Sequence, residues 1–372
     1  MRYMIGLVCV LGIAWLVGCS DSDTGQGLRM NEIQVLGTHN SYHIQPRDSI
    51  LDVIREFESA GLADPGTADS LEYTALPLED QFDRGVRQIE LDVFADPEGG
   101  RYADRRGLDF VGDPVPDLPE LREPGLKVLH IQDIDFETHC LTFKGCLTTI
   151  KEWSEAHPGH LPITVMIEAK DEDIGFGFPP PLLFGPDEVA SIDDEILSVF
   201  SADQLIVPDD VRREHDTLEE AVLTDGWLTL DDSRERVMFV FLNRNAAQDF
   251  YIEGHPSLAG RVMFTNSARG EPEAAWFNVN NALNDGQTIR DLVADGYMVR
   301  TRADEDTRQA REDDYALQEA AFESGGQFVS TDYVVPNPDF GTTYSAAVPG
   351  GYVARCNPIS APDGCDSSRI RP

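Results

Sequence analysis

Basic residues are scarce in this chain. It holds 29 Lys and Arg against 67 Asp and Glu over 372 residues, a net charge of −38. Such a surface repels phosphate backbones, which argues against nucleic acid as a partner. It also argues against electrostatic docking on anionic lipid. The acid surplus itself reads as solubility. Long apolar runs are missing too. The only extended one, Met4 to Val17, is too short for a membrane span. No internal repeat and no long low-complexity tract occurs, so a solenoid is excluded. No glycine-rich dinucleotide fingerprint follows the first strand, which counts against a doubly wound nucleotide-binding sheet. Cysteines number six, and no pair has the tight spacing of zinc ligands.

Arg2 followed by the apolar run reads as a targeting segment. It ends Leu16-Val17-Gly18-Cys19, which resembles the lipobox of bacterial lipoproteins. There the Cys is lipidated and becomes the mature N-terminus. The alternative is an ordinary secretory signal with a chance Cys, and either way the protein is exported. Residues 1–19 are thus a signal, 20–30 a flexible polar tether, and 31–372 one domain with a disulfide-containing tail. Outside the signal and lipobox lie Cys140, Cys146, Cys356 and Cys365. An even set in an oxidising compartment points to two disulfides. Three pairings are open, and the short local ones, Cys140–Cys146 and Cys356–Cys365, are favoured.

Eight short apolar, β-branched segments recur: Ile33–Gly37, Arg87–Val93, Lys127–Ile131, Ile163–Ala169, Val237–Leu242, Val262–Thr265, Met298–Arg302 and Gln327–Thr331. Amphipathic stretches such as Leu147–His157, Asp187–Phe200 and Asp306–Ser324 separate them. Strand alternating with helix predicts parallel βα units, and eight units in this length predict a single (β/α)₈ barrel, irregularity allowed for. Two regions read as inserted loops. Asp96 to Pro124 is rich in Gly, Pro, Asp and Arg. Asp171 to Pro186 sets Phe176, Phe178, Leu182, Leu183 and Phe184 among prolines. Two readings stand for the second loop: an apolar rim for lipid, or packing of its aromatics on the barrel.

The first strand runs into Gly37-Thr38-His39-Asn40-Ser41-Tyr42-His43. A titratable cluster directly after a buried strand is where barrel enzymes place their chemistry. His39 can exchange a proton near neutral pH, and Asn40 offers a carbonyl oxygen beside it. In the second strand the period of two sets Gln88, Glu90 and Asp92 on one face, inward. The fourth strand ends in Glu168, with Lys170 two residues on. Carboxylates so close repel and need a cation. Asn40, Glu90, Asp92 and Glu168 form an all-oxygen set, which suits calcium, and magnesium less well. The third strand ends in His130. Two histidines flanking such a site are the set that phosphodiester cleavage by internal attack requires. One takes a proton from the substrate hydroxyl and the other gives one to the leaving alkoxide.

GTHNSYH, the Glu-Leu-Asp run, VLHIQDIDF with the Cys, Phe and Trp beyond it, and PITVMIEAK closely resemble the calcium-dependent phosphoinositide phospholipase C family of bacteria and fungi. The resemblance runs from about Asn31 to Tyr333. It implies a phosphodiesterase TIM barrel of the phospholipase C type. It implies cleavage of phosphatidylinositol or a related lipid to diacylglycerol and a cyclic or open inositol phosphate, with Ca2+ as cofactor and a phospholipid at a membrane surface as partner. Carried over, His39 is the general base, His130 the general acid, and Asn40, Glu90, Asp92 and Glu168 the calcium ligands. Lys170 contacts phosphate or inositol. Arg300, Arg302, Asp332 and Tyr333, in MVRTRAD and FVSTDY, are substrate-site candidates. His139 lies close to His130 and competes for the acid role; the strand-end position favours His130. A monomer is expected. Two other functions remain. A glycerophosphodiester phosphodiesterase shares the fold, but its His–Arg–Gly start is missing. A lipoprotein that binds calcium or lipid without turnover would not need both histidines.

Overall fold

A computed structural model of the chain describes residues 27–175 and 178–372. Eleven strands form one sheet: β1 Ile33–Thr38, β2 Gln88–Phe94, β3 Lys127–Val128, β4 Ile163–Ala169, β5 Leu205–Ile206, β6 Val237–Phe241, β7 Met263–Thr265, β8 Trp276–Asn278, β9 Met298–Arg302, β10 Phe328–Thr331 and β11 Ala354–Cys356. Parallel pairing runs β1–β2–β4–β6–β7 on one side and β8–β9–β10–β1 on the other. A single parallel bridge, Asn266 to Trp276, joins β7 to β8 and closes the ring. The fold is therefore an irregular α/β barrel. Its loosest seam is where residues 266–275 connect β7 to β8 without a helix. Elsewhere parallel neighbours need a long crossover, and helices supply it.

Local sequence explains these elements. In β4 every residue from Ile163 to Ile167 is buried, which a strand covered on both faces requires. Each such aliphatic side chain contributes roughly 1.5–3 kcal/mol by leaving water. The helix Phe143–Ala156 buries Phe143, Cys146, Leu147, Ile150 and Trp153, a helical stripe, and the Thr142 side chain caps it by accepting from the Gly145 N–H. Gly37 is obligatory: a Cβ there would lie 1.9 Å from the Gln88 Oε1 that fills the barrel interior.

The structure corrects several expectations. Lys127–Ile131 is not a barrel strand. Only Lys127–Val128 is extended, and it pairs antiparallel with the end of β2. Leu129 leaves the sheet to pack on Phe94 and Tyr102, so His130 stands in a loop and not at a strand end. The eighth barrel strand is β8. The tether does not reach residue 30, because Leu28 and Met30 are buried and hydrogen-bond to the Leu228–Leu230 segment. At the other end β11 adds antiparallel to β1. The disulfides are Cys140–Cys146 and Cys356–Cys365. Cys19, the signal and residues 20–26 lie outside the described residues, as does Phe176. In the loop before Pro186, Phe178 and Phe184 are buried and Leu183 is exposed, so most of its described apolar residues pack inward. No helix among the described residues is long and apolar enough to cross a membrane.

Candidate active site

The loop after β1 is held rigidly against β2. The Ser41 N–H donates to the Glu90 carbonyl at 3.0 Å, and the Glu90 N–H donates to Ser41 Oγ at 2.9 Å. Gln81 clamps the same loop, accepting from Thr38 Oγ1 and donating to the Ser41 carbonyl, both at 2.7 Å. Asn40 sits between these clamps at φ +40, a left-handed conformation that Asn tolerates better than most residues. Its amide donates to Tyr73 Oη at 3.1 Å. The turn is thus both hydrogen-bonded structure and a platform that carries Asn40 to the head of β2.

Alternation along β2 and β4 brings three carboxylates together. Oxygens of Glu90, Asp92 and Glu168 lie within 4.8 Å of one another. Asp92 is fully buried, and neither of its oxygens accepts a hydrogen bond from any described residue. Its nearest cation is Lys170 Nζ at 3.3 Å, which also stands 3.5 Å from Glu168. Burial raises the Glu90 carboxyl to about 7; the Arg300 charge opposes this, and the charges of Asp92 and Glu168 add to it. A carboxylate trio this crowded is poised for a cation. Arg87 takes no part: it points outward, donates to the Phe82 and Val86 carbonyls, and lies over Trp153.

Two histidines near the trio are each braced by an aspartate. His39 Nδ1 lies 2.9 Å from Asp332 Oδ1. An ionised carboxylate only accepts, so Nδ1 carries the proton and Nε2 presents a lone pair. His130 Nδ1 lies 2.6 Å from Asp135 Oδ2, which frees its Nε2 for the site. The two rings are driven apart electrostatically. Burial pushes His39 well below its ordinary value, and the Arg302 and Arg300 charges push the same way. Burial would lower His130 too, but its hydrogen bond to Asp135 and that carboxylate's charge raise it instead. One imidazole is set to accept a proton and the other to give one. His39, Glu90, Glu168 and Arg300 line a cavity of about 250 Å³, with Asn278 and Asn280 on its far wall.

The remaining expected residues divide. Arg302 reaches the site: it donates to Asp332 Oδ2 at 2.8 Å and stands 3.5 Å from His39 Nε2. Asp332 is at the site as the His39 partner. Arg300 lines the cavity, but its guanidinium is already committed to Ser330 Oγ, Asn278, Asn280 and Glu90 Oε2 at 2.6–3.1 Å. It therefore braces Glu90. Lys170 pairs with the carboxylates. Tyr333 is not brought to the site; its ring packs with Tyr73, Ala310 and Tyr344. His139 turns away and hydrogen-bonds the Ala75 carbonyl through Nε2 at 2.7 Å.

Asp135, His43 and Tyr73 stand beside the site: sequence reasoning gave no role to Asp135 or Tyr73, and quoted His43 only as the end of the cluster after the first strand. The signal for Asp135 was the Asp-Ile-Asp that follows His130. Ile131 and Asp135 exchange two backbone hydrogen bonds of 2.9 Å around a turn with Asp133 at φ +69. That turn folds Asp135, not Asp133, back onto His130.

Comparison with known proteins gives the family and the fold. Residues 28–358 match the profile of the family described as phosphoinositide phospholipase C, Ca2+-dependent. A calcium-dependent phosphoinositol-specific phospholipase C from Pseudomonas sp, solved with myoinositol, superposes with a TM-score of 0.52 at 16% identity, covering 88% of this chain and 95% of that one. A Ca2+-dependent phosphatidylinositol-specific phospholipase C from Streptomyces antibioticus gives 0.52 at 17% identity, covering 85% and 97%. At these identities the two structures speak for the fold. Curated protein sequences give no match. With the profile spanning most of the chain, this protein belongs to the calcium-dependent phosphoinositide phospholipase C family.

Proposed function

We propose that this protein is a calcium-dependent phospholipase C that cleaves phosphatidylinositol, or a closely related phosphodiester, to diacylglycerol and an inositol phosphate. The observation that carries this reading is the pair of aspartate-braced imidazoles, His39 on Asp332 and His130 on Asp135, in the same site as the carboxylate trio.

The metal fits the residues present. Asp92 offers two buried oxygens that accept no well-formed hydrogen bond, and only the partly exposed Lys170 ammonium, 3.3 Å from one of them, offsets its charge; a second cation would relieve the burial and the repulsion of the neighbouring carboxylates. Asn40, Glu90, Asp92 and Glu168 would hold calcium, an all-oxygen set of the kind that ion takes. When bound, calcium supplies positive charge for a phosphoryl oxygen and lowers the pKa of the attacking hydroxyl. His39 Nε2 takes the proton from that hydroxyl, with Asp332 fixing the tautomer. His130 Nε2 gives its proton to the departing glycerol oxygen, with Asp135 holding the ring. Arg302 fixes Asp332, and Lys170 faces the phosphate.

Export follows from the same reading. The two disulfides suit an oxidising compartment, and Cys19 is the proposed lipid anchor. That would place the enzyme at a membrane surface with its phospholipid substrate. Turnover of labelled phosphatidylinositol with calcium and with excess chelator tests the function. Calcium-dependent release of inositol phosphate is expected; full activity after the metal is stripped would contradict it.

A further inference from the structure

His43, the last residue of the GTHNSYH segment, has no part in the proposed proton transfers, yet it is completely buried beside them. Its Nδ1 lies 3.0 Å from the Tyr73 carbonyl oxygen. Its Nε2 lies 2.8 and 2.9 Å from the two oxygens of Asp135. The ring is therefore held at both ends, by the Tyr73 carbonyl and by the Asp135 carboxyl. The Tyr73 ring also stacks on it, with centroids 4.2 Å apart and planes 24° from parallel.

Asp135 thus stands between two imidazoles. One oxygen is 2.6 Å from His130, and both lie within 2.9 Å of His43. Burial alone would raise this carboxyl; the His43 charge and the hydrogen bonds from His130 and His43 hold it down to about 2 instead. The carboxylate cannot swing, because His43 is fixed at its other end by the Tyr73 carbonyl.

The geometry assigns His43 the part of a positioning residue: a buried ring, anchored on the Tyr73 carbonyl and stacked on the Tyr73 ring, that fixes Asp135 and so aims His130 at the leaving oxygen. This rests on His130 being the general acid. His43 is hydrogen-bonded to Asp135 rather than to the proposed acid itself, so its effect should follow the leaving group. With phosphatidylinositol the departing alkoxide needs a proton. With an aryl phosphodiester of inositol it does not.

The test compares His43→Gln, which keeps a hydrogen-bonding group for Asp135, with His43→Phe, which keeps a flat ring and loses both nitrogens. On phosphatidylinositol His43→Phe should lose roughly 10–100-fold in kcat with little change in KM, and His43→Gln should recover part of the loss. On the aryl substrate both should stay within about 3-fold of wild type. Equal losses on the two substrates would mean a merely structural role and overturn the inference. If His43→Phe fails to fold, His43→Gln decides the matter alone: a loss on phosphatidylinositol that the aryl substrate relieves supports the inference, and activity equal to wild type on both substrates overturns it. An aryl substrate that fails to rescue His130→Ala would remove the acid assignment, and the inference with it.

Discussion

Asp92 is where stability and function oppose each other most directly. At a pH high enough to ionise Glu90 and Glu168 together with Asp92, and at an effective dielectric near 20, a charge pair at the 4.8 Å limit of the trio repels by about 3.5 kcal/mol, and Asp92 has two such partners. Lys170 at 3.3 Å returns about 5 kcal/mol at most, less because its side chain is about a quarter exposed. Asp92→Asn keeps the shape and removes the charge. The calcium-free variant should therefore be more stable than wild type by about 2 kcal/mol. Calcium should act in the opposite sense. At a hundredfold excess over Kd it adds about 2.7 kcal/mol to wild type, and it should add little to the variant. Differential scanning calorimetry with calcium and with chelator reads both effects, and turnover should fall sharply. The reasoning fails if Asp92→Asn melts below wild type in chelator, or if calcium raises its Tm as much as it raises that of wild type.

Burial pushes Asp193 up to about 6, against the hydrogen bond from Tyr251 and the Arg261 charge. Its folded pKa lies above its unfolded one, so this group favours the fold below about pH 4 and loses that contribution as pH rises to about 6, up to roughly 3 kcal/mol; denaturant titrations should show the decline, and Asp193→Asn should flatten it. Gly37→Ala would set a Cβ 1.9 Å from Gln88 Oε1, whose side chain is tied to Ser330 and the Thr38 carbonyl; a loss of about 1–3 kcal/mol is expected, and a Tm equal to wild type would contradict it. Cys19→Ser should release the protein from the membrane fraction or leave it unprocessed; wild-type protein wholly soluble in the medium with a free N-terminus would refute the anchor.

How far the site could be read in the sequence depended on where each partner lies. β2 and β4 announce themselves, because a period of two inside an apolar run fixes which carboxylates point inward. β8 does not: Trp276, Phe277 and Asn278 offer no β-branched run, and no helix leads to them. The apolar Val128-Leu129 pair imitates a barrel strand, since a satellite cluster with Phe94 and Tyr102 needs buried residues as much as the barrel does. Arg300 was legible as a site residue but not as the brace of Glu90, from which 210 positions separate it. Asp135 was hidden by its neighbour Asp133; only the turn geometry chooses between them.

The central claim is the division of labour between the two imidazoles, and leaving-group dependence tests it most directly. On phosphatidylinositol, His39→Ala and His130→Ala should each lose about 10²–10⁴-fold in turnover. On an aryl phosphodiester of inositol, His130→Ala should recover most of its loss, and His39→Ala should not, because the hydroxyl still needs a base. Rescue of His39→Ala instead would reverse the roles, and full activity of both variants on both substrates would place the chemistry elsewhere in the molecule.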